Sequence, residues 1–370
     1  MMITDKPGLY IHIPFCSSKC PYCDFYSFTA DEQTKDRYTA AIIKNIYNIQ
    51  NKNGTVFSTV YFGGGTPSLI GSKRLSEIIS AVSRTADSEV TVECNPSDLC
   101  RNWDIKAMDT LVKAGANRIS MGMQSAVETE RKALGRHADA TQVKKAVELI
   151  KQAGITNFSL DLMLGVPEQT SDSLKRSIDF CAENGAKHVS SYLLKIEQGT
   201  PFAKVEGLLD LPDEDECCEL YLTACETLEE YGYKQYEISN FAVPGFESKH
   251  NLIYWDCREY IGIGASAHSF FGGKRFYYER DAAGFTQGAK PVDDGDGGSF
   301  EEYVMLRLRL TEGLKSELIR TRFGFDIPPE MLERARFYEK NGMAKVTENS
   351  ISLTPQGFLV SNTIIADLLS

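Results

Sequence analysis

The chain has 370 residues and a formal net charge of -11, from 40 Lys and Arg against 51 Asp and Glu. That balance excludes a general nucleic-acid binder, which needs a basic stripe to neutralise phosphates, while the length allows one large domain plus a smaller one without disulfide support. No apolar leader precedes the first strand pattern and no apolar run approaches the roughly 18 residues of a membrane span, so a cytoplasmic protein with reduced thiols is expected.

From "GLYIHIPF" to about residue 196, strand-like apolar runs alternate with helical patterns. The strand candidates are "LYIHIPF", "FSTVYFG", "EVTVECN", "NRISMGMQS", "NFSLDLML" and "KHVSSYLLKI". Between them lie "KRLSEIISAVSR", "DIKAMDTLVKAG", "TQVKKAVELIKQAG" and "SLKRSIDFCAENGA", the last three ending on Gly115, Gly154 and Gly185. Glycine there supplies the left-handed residue that ends a helix before a turn. Repeated βα units predict a parallel sheet, either an incomplete barrel or a doubly wound sheet.

Unusual residues gather where the strands end. "CSSKCPYCDF" (16–25) places Cys16, Cys20 and Cys23 just after the first strand, and "GGGTP" (63–67) follows the second. Glu93, Gln124 and Asp161 belong to the third, fourth and fifth strands, and Arg136 follows the fourth. A structural zinc site wants four ligands and a [4Fe-4S] cluster one thiolate per iron, so three clustered thiols leave one metal position open. A zinc site completed by a distant residue such as Cys94 is the alternative. "GGGTP" reads equally as a tight turn, and it lacks both the P-loop lysine and the dinucleotide spacing. Ligands of parallel α/β folds bind at the carboxyl ends of the strands, and a ring of residues from five strands favours the barrel over a single crevice.

In the last third, "VDDGDGGS" (292–299) reads as a linker. The helical patterns "FEEYVMLRLRLTEGL" and "PPEMLERARFYEKNG" follow, then the strand-like pair "MAKVTEN" and "SISLTP" and a final helix "QGFLVSNTIIADLL". Helices followed by a two-stranded ribbon suggest a winged-helix-like α+β domain. Winged helices often bind DNA, but the charge does not support that here, and a fold alone assigns no function.

"YIHIPFCSSKCPYCDF", "YFGGGTPSL", "VECNP", "RISMGMQS", "LGRHADA" and "DLMLGVP" together resemble, in order, the radical S-adenosylmethionine (SAM) proteins related to oxygen-independent coproporphyrinogen III oxidase. The resemblance implies a partial (β/α)6 barrel over residues 1–200, completed by 201–291 and followed by the small domain at 292–370. It further implies a [4Fe-4S] cluster on Cys16, Cys20 and Cys23 with SAM on the fourth iron. Tyr10, Gly64, Gly65, Thr66, Glu93, Gln124, Arg136 and Asp161 match the family's SAM-binding positions.

Within this superfamily the oxidases carry a fourth cysteine two positions after the third, where this chain has Phe25. They also carry a long N-terminal extension, and here only nine residues precede Tyr10. "KHNLIYWDCREYIGIGASAHS" (249–269) contains His250, Asn251, Tyr254 and Trp255 in the pattern H-N-x-x-Y-W, which resembles the signature of the HemW heme chaperones. Imidazole is a good heme ligand and aromatic rings pack on a porphyrin, although a packed core segment explains the same residues. The expected function is a heme chaperone that delivers heme to apo-hemoproteins, respiratory enzymes at the membrane among them, as a peripheral or dimeric protein. The alternatives are a coproporphyrinogen III oxidase, a radical SAM methyltransferase and a binding module without redox chemistry, so enzymatic turnover is left open.

Overall fold

A computed structural model of the chain describes residues 6–136 and 138–370. Six parallel strands form its centre: β1 (Gly8–Ile13), β2 (Phe57–Gly64), β3 (Arg84–Cys94), β4 (Arg118–Gln124), β5 (Phe158–Leu164) and β6 (His188–Leu193). Each pairs with the strand before it in sequence. That order contains no reversal, whereas a doubly wound sheet needs one. The barrel expectation therefore holds and the open-sheet alternative falls.

The strands are legible because their two faces differ. Leu9, Ile11 and Ile13, Val60 and Phe62, Val90 and Val92, Ile119 and Met121, and Leu160 and Leu162 all join the hydrophobic core. Their alternates are Tyr10 and His12, Thr59 and Tyr61, Glu89, Thr91 and Glu93, Arg118 and Ser120, and Ser159 and Asp161. Side chains alternate along a strand, so the apolar set packs under the helices and the polar set lines the interior. Tyr192 shares the inner face with Ser190 and is 41 % exposed, an exposure into the lumen.

The helices between strands are capped as their sequences suggest. Gly115 is a left-handed C-cap, and Gly154 and Gly185 take φ of 87° and 72° one residue beyond theirs. Asp139 and Thr170 each form a capping box, which satisfies backbone N–H groups that a helix start leaves free. The 22-residue helix Glu32–Asn53 and the helix Glu214–Glu230 are further elements beyond the sequence patterns.

Beyond β6 the chain extends both edges of the barrel. On the β6 side lie β8 (Asn240–Ala242), antiparallel to β6, and β7 (Lys234–Gln235), antiparallel to β8. On the β1 side β9 (Tyr260–Ile263) runs parallel to β1, followed by the antiparallel β10 (His268–Phe271), β11 (Lys274–Tyr277) and β12 (Val292–Asp296). The result is one sheet of twelve strands. "VDDGDGGS", expected to be a linker, begins as β12, with Lys274 and Asp296 paired at 2.5 Å. Its residues are exposed on both faces, so no burial pattern marks it as a strand.

The C-terminal unit contains the helices Phe300–Arg307, Ser316–Phe323 and Pro329–Lys340 and a small sheet of β13 (Leu314–Lys315), β14 (Ala344–Val346) and β15 (Ser350–Leu353). The single final helix expected from sequence is two, Pro355–Leu359 and Ser361–Leu368. Among the described residues no helix is long and apolar enough to cross a membrane.

Arg307 pins this unit to the barrel. Its guanidinium, 3 % exposed, donates to Asp256 Oδ1 at 2.5 Å, Glu312 Oε2 at 2.8 Å and the Gly313 carbonyl at 3.1 Å. Arg307→Met leaves these acceptors without their cation and is expected to lower the unfolding free energy by about 3 kcal/mol, read from the urea midpoint. A loss below about 1 kcal/mol would rank the contact with ordinary surface pairs.

Candidate functional site

The cysteine loop is tied down at its base by backbone bonds. Phe28 N donates to the Pro14 carbonyl, Cys16 N to the Phe28 carbonyl, and Cys23 N to the Cys20 carbonyl. Thr66 N donates to the Phe15 carbonyl at 2.7 Å, which fastens the glycine segment beneath the loop. The three thiols are half-buried. Burial pushes the Cys23 thiol up, and Cys20 and Cys16 add to the shift. Among the described residues no three ligating side chains close around a point as a single ion requires.

Gly64 and Gly65 have a structural reason of their own. A Cβ at Gly64, whose φ is +106°, would lie 2.4 Å from the His12 ring. One at Gly65 would lie 2.7 Å from the Phe15 carbonyl oxygen and 2.8 Å from that of Ile13. The absence of side chains thus lets the end of β2 pass under the cysteine loop, whatever ligand lies above it.

The other sequence-predicted residues converge on the same mouth. Thr66 Oγ1 lies 3.6 Å from Cys16 Sγ, and Arg136 donates to Cys20 Sγ at 3.5 Å and to the Gly122 carbonyl at 2.5 Å. Gln124 has a φ of 72°, unusual for a residue with a side chain, at an irregularity in the pairing of β4 with β5. Burial raises Glu93 to about 7 despite the Tyr61 hydroxyl donating to it at 2.8 Å. Burial likewise raises Asp161, against the Ser120 and Ser159 hydroxyls that donate to it at 3.3 Å and 3.2 Å. The Tyr10 hydroxyl lies 3.0 Å from His12 Nδ1, and the Tyr10 ring stacks on Tyr61.

The H-N-x-x-Y-W segment lies elsewhere. It forms the helix Lys249–Trp255, on the connection from β8 to β9. The N–H groups of Lys249 and His250 donate to the two oxygens of Glu89 at 3.2 Å and 3.1 Å. His250 is 1 % exposed, with Nδ1 2.7 Å from Thr59 Oγ1 and Nε2 2.7 Å from the Tyr254 hydroxyl. It also stacks on Tyr61, at 5.1 Å between centroids, and would lie 3.2 Å from a Cβ at Gly8, the first residue of β1. The segment is thus a floor at the end of the barrel away from the cysteines. The resemblance implies that His250, Asn251, Tyr254 and Trp255 contact heme; here both His250 nitrogens already have partners inside the fold. Tyr254 packs edge-on against Tyr260, Trp255 lies under Arg309, and the Asn251 N–H donates to Ser248 Oγ. Cys257, two residues beyond Trp255, is buried against Arg322.

Sequence reasoning missed the lower inner layer: Thr59, Glu89, Arg118 and Ser159. Glu89 and Ser159 sit four and two residues from Glu93 and Asp161 on the same strands, so alternation alone could have found those two.

A model of the radical SAM superfamily matches residues 10–181, and a model of the HemN C-terminal domain matches residues 300–360. The heme chaperone HemW of Lactococcus lactis is 32 % identical, covering 100 % of this chain and 98 % of its own. The chain belongs to the HemW family of radical SAM proteins. HemW of Bacillus subtilis is 32 % identical over 97 % of this chain and 98 % of its own, and that of Escherichia coli 35 % over 82 % and 83 %. Among solved structures, the radical SAM coproporphyrinogen III oxidase of Escherichia coli aligns with a TM-score of 0.81 at 21 % identity, covering 98 % of this chain and 90 % of that one. It shares the fold. Membership in the radical SAM superfamily brings with it a [4Fe-4S] cluster and SAM as cofactors. The residues present fit them: three spaced thiols, a guanidinium against one sulfur, and buried carboxylates along a polar wall.

Burial holds the His250 imidazole neutral, lowering it from 6.5 to about 3. Below pH 6.5 the unfolded chain gains a proton there that the folded chain refuses, so this contribution to stability is complete above 6.5 and is lost as the pH falls towards 3. The stability difference between wild type and His250→Gln should shrink by about 1.4 kcal/mol per pH unit through that window. Urea titrations between pH 7 and 5 read it, and a constant difference would show that the imidazole is not held neutral.

Proposed function

We propose that this HemW-family chain is a heme chaperone, which binds heme and passes it to apo-hemoproteins while holding a [4Fe-4S] cluster and SAM in the barrel mouth. The observation that carries this reading is the cysteine loop. Its three thiols occur at the carboxyl end of β1, and two residues on, where the oxidases bear another cysteine, Phe25 presents a ring that is 67 % exposed. Cys16, Cys20 and Cys23 would hold three irons, with the amino and carboxylate groups of SAM on the fourth. When bound, the reduced cluster supplies an electron to the SAM sulfonium.

The chain's own groups organise that site. Arg136 lies against Cys20 and offsets negative charge on its sulfur, and Thr66 lies beside the Cys16 sulfur. Tyr10 would stand at the SAM site and Gly64, Gly65 and Thr66 beside the methionine portion, while Glu93, Gln124, Arg136 and Asp161 would offer acceptors and donors to its polar groups. The Lys249–Trp255 helix lies against Glu89 and Thr59 at the far end. For transfer we infer a cytoplasmic protein that docks peripherally at the membrane to meet respiratory apo-hemoproteins and pairs as a dimer over the exposed loop. The aromatic, solvent-facing Phe25 supports such a contact.

Two measurements test the reading. Replacing any one of Cys16, Cys20 or Cys23 by Ala should remove cluster absorption and bound iron while leaving the fold intact. Anaerobic incubation of the reconstituted protein with SAM, reductant and coproporphyrinogen III should yield no decarboxylated porphyrinogen. Protoporphyrinogen accumulating over many turnovers would make the chain an oxidase.

A further inference from the structure

If heme is the cargo, its iron needs a ligand, and the described residues include four histidines besides the undescribed His137. His12, His188 and His250 are 3 %, 1 % and 1 % exposed. Each has both ring nitrogens within hydrogen-bond reach of a partner: His12 with the Tyr10 hydroxyl and the Tyr26 carbonyl, His188 with the Ser159 and Tyr236 hydroxyls, and His250 with Thr59 and Tyr254. His268 is different. It is exposed, its ring nitrogens make no hydrogen bond among the described residues, and its ring stacks on Tyr277 with centroids 5.2 Å apart and planes 22° from parallel.

Its place in the sheet points to the barrel mouth. Tyr61 pairs with Tyr10 and Tyr10 with Gly262, while Phe270 pairs with Tyr260 and His268 with Tyr277. One antiparallel step beyond the Phe270 pair, where side chains face the same way again, sets His268 beside Gly262. The row Tyr61, Tyr10, Gly262, His268, Tyr277 therefore crosses five neighbouring strands on the concave face. With strands about 4.8 Å apart, His268 stands about 10 Å from Tyr10 across a residue without a side chain.

The same rim carries two further groups. Ser266 N donates to the Tyr278 and Glu279 carbonyls, and the next residue, Arg280, reaches Asp24 at 3.1 Å. Asp24 adjoins the exposed ring of Phe25. An imidazole, an uncovered aromatic ring and a solvent-facing guanidinium match the iron, the apolar macrocycle and the carboxylates of a metalloporphyrin.

We propose that His268, not His250, is the axial ligand of the heme cargo, on a site completed by Tyr277, Phe25 and Arg280; this rests on the chaperone reading. The test titrates ferric heme into the reconstituted full chain and into His268→Gly and His250→Gln, followed by absorption and electron paramagnetic resonance. His268→Gly should lose the imidazole-ligated signature and weaken binding by about tenfold or more, and added imidazole should restore the signature. His250→Gln should keep it. Rescue by imidazole separates a missing ligand from a damaged fold. A signature that survives His268→Gly overturns the assignment and leaves the chaperone reading standing. Absence of heme uptake by the wild type overturns both.

Discussion

The carboxylate of Glu89, which takes the first N–H groups of the Lys249–Trp255 helix, decides how an open barrel becomes a closed site. Six strands do not complete a barrel, and the two edges are extended by β8 on one side and β9 on the other. The connection between those strands must cross the gap. It does so as a helix whose first N–H groups point into the barrel, where an acceptor of negative character suits the positive end of the helix. Glu89 is that acceptor, and its charge also lies near the buried Arg118. With the helix so held, His250 reaches Thr59 and stacks on Tyr61, whose hydroxyl in turn holds Glu93. A chain of contacts thus runs from the floor to the mouth.

The same helix ties the barrel to the C-terminal unit. Asp256, Cys257 and Trp255 meet Arg307, Arg322 and Arg309, three arginines that belong to the far side of that boundary. A motif that joins two packing surfaces is constrained at every position, and such constraint looks the same in a sequence as constraint by a ligand. In H-N-x-x-Y-W the histidine and the tryptophan thus both carry packing contacts of their own.

What sequence made legible follows from burial. The six central strands have one face under helices and one on the lumen, so their alternation is visible, and the glycines that end the helices mark where each unit stops. β10, β11 and β12 have no such contrast, and Asp293, Asp294, Gly295 and Asp296 resemble a loop. Cys16, Cys20 and Cys23 were legible because three thiols in an irregular loop have no packing reason to be there. Glu89 and Arg118 were not, because one charged residue inside a strand carries no sign of its partner several strands away. His268 carries no mark within the 249–269 stretch, since exposure cannot be read from a residue's identity.

Burial also sets the charge state of the lumen. Glu93 and Asp161 are raised, His12 and His250 are lowered to about 4 and about 3, and Tyr10, Tyr61 and Tyr254 are raised well above their ordinary value. Each shift is led by desolvation, which favours the uncharged form. The interior therefore resists ionisation until something compensates for it. Burial raises Glu93 to about 7. A cationic group brought beside it, such as an amine or a sulfonium, draws its proton off and meets a carboxylate. Charge then enters the lumen as a pair, stabilised in a medium where either member alone is unfavourable.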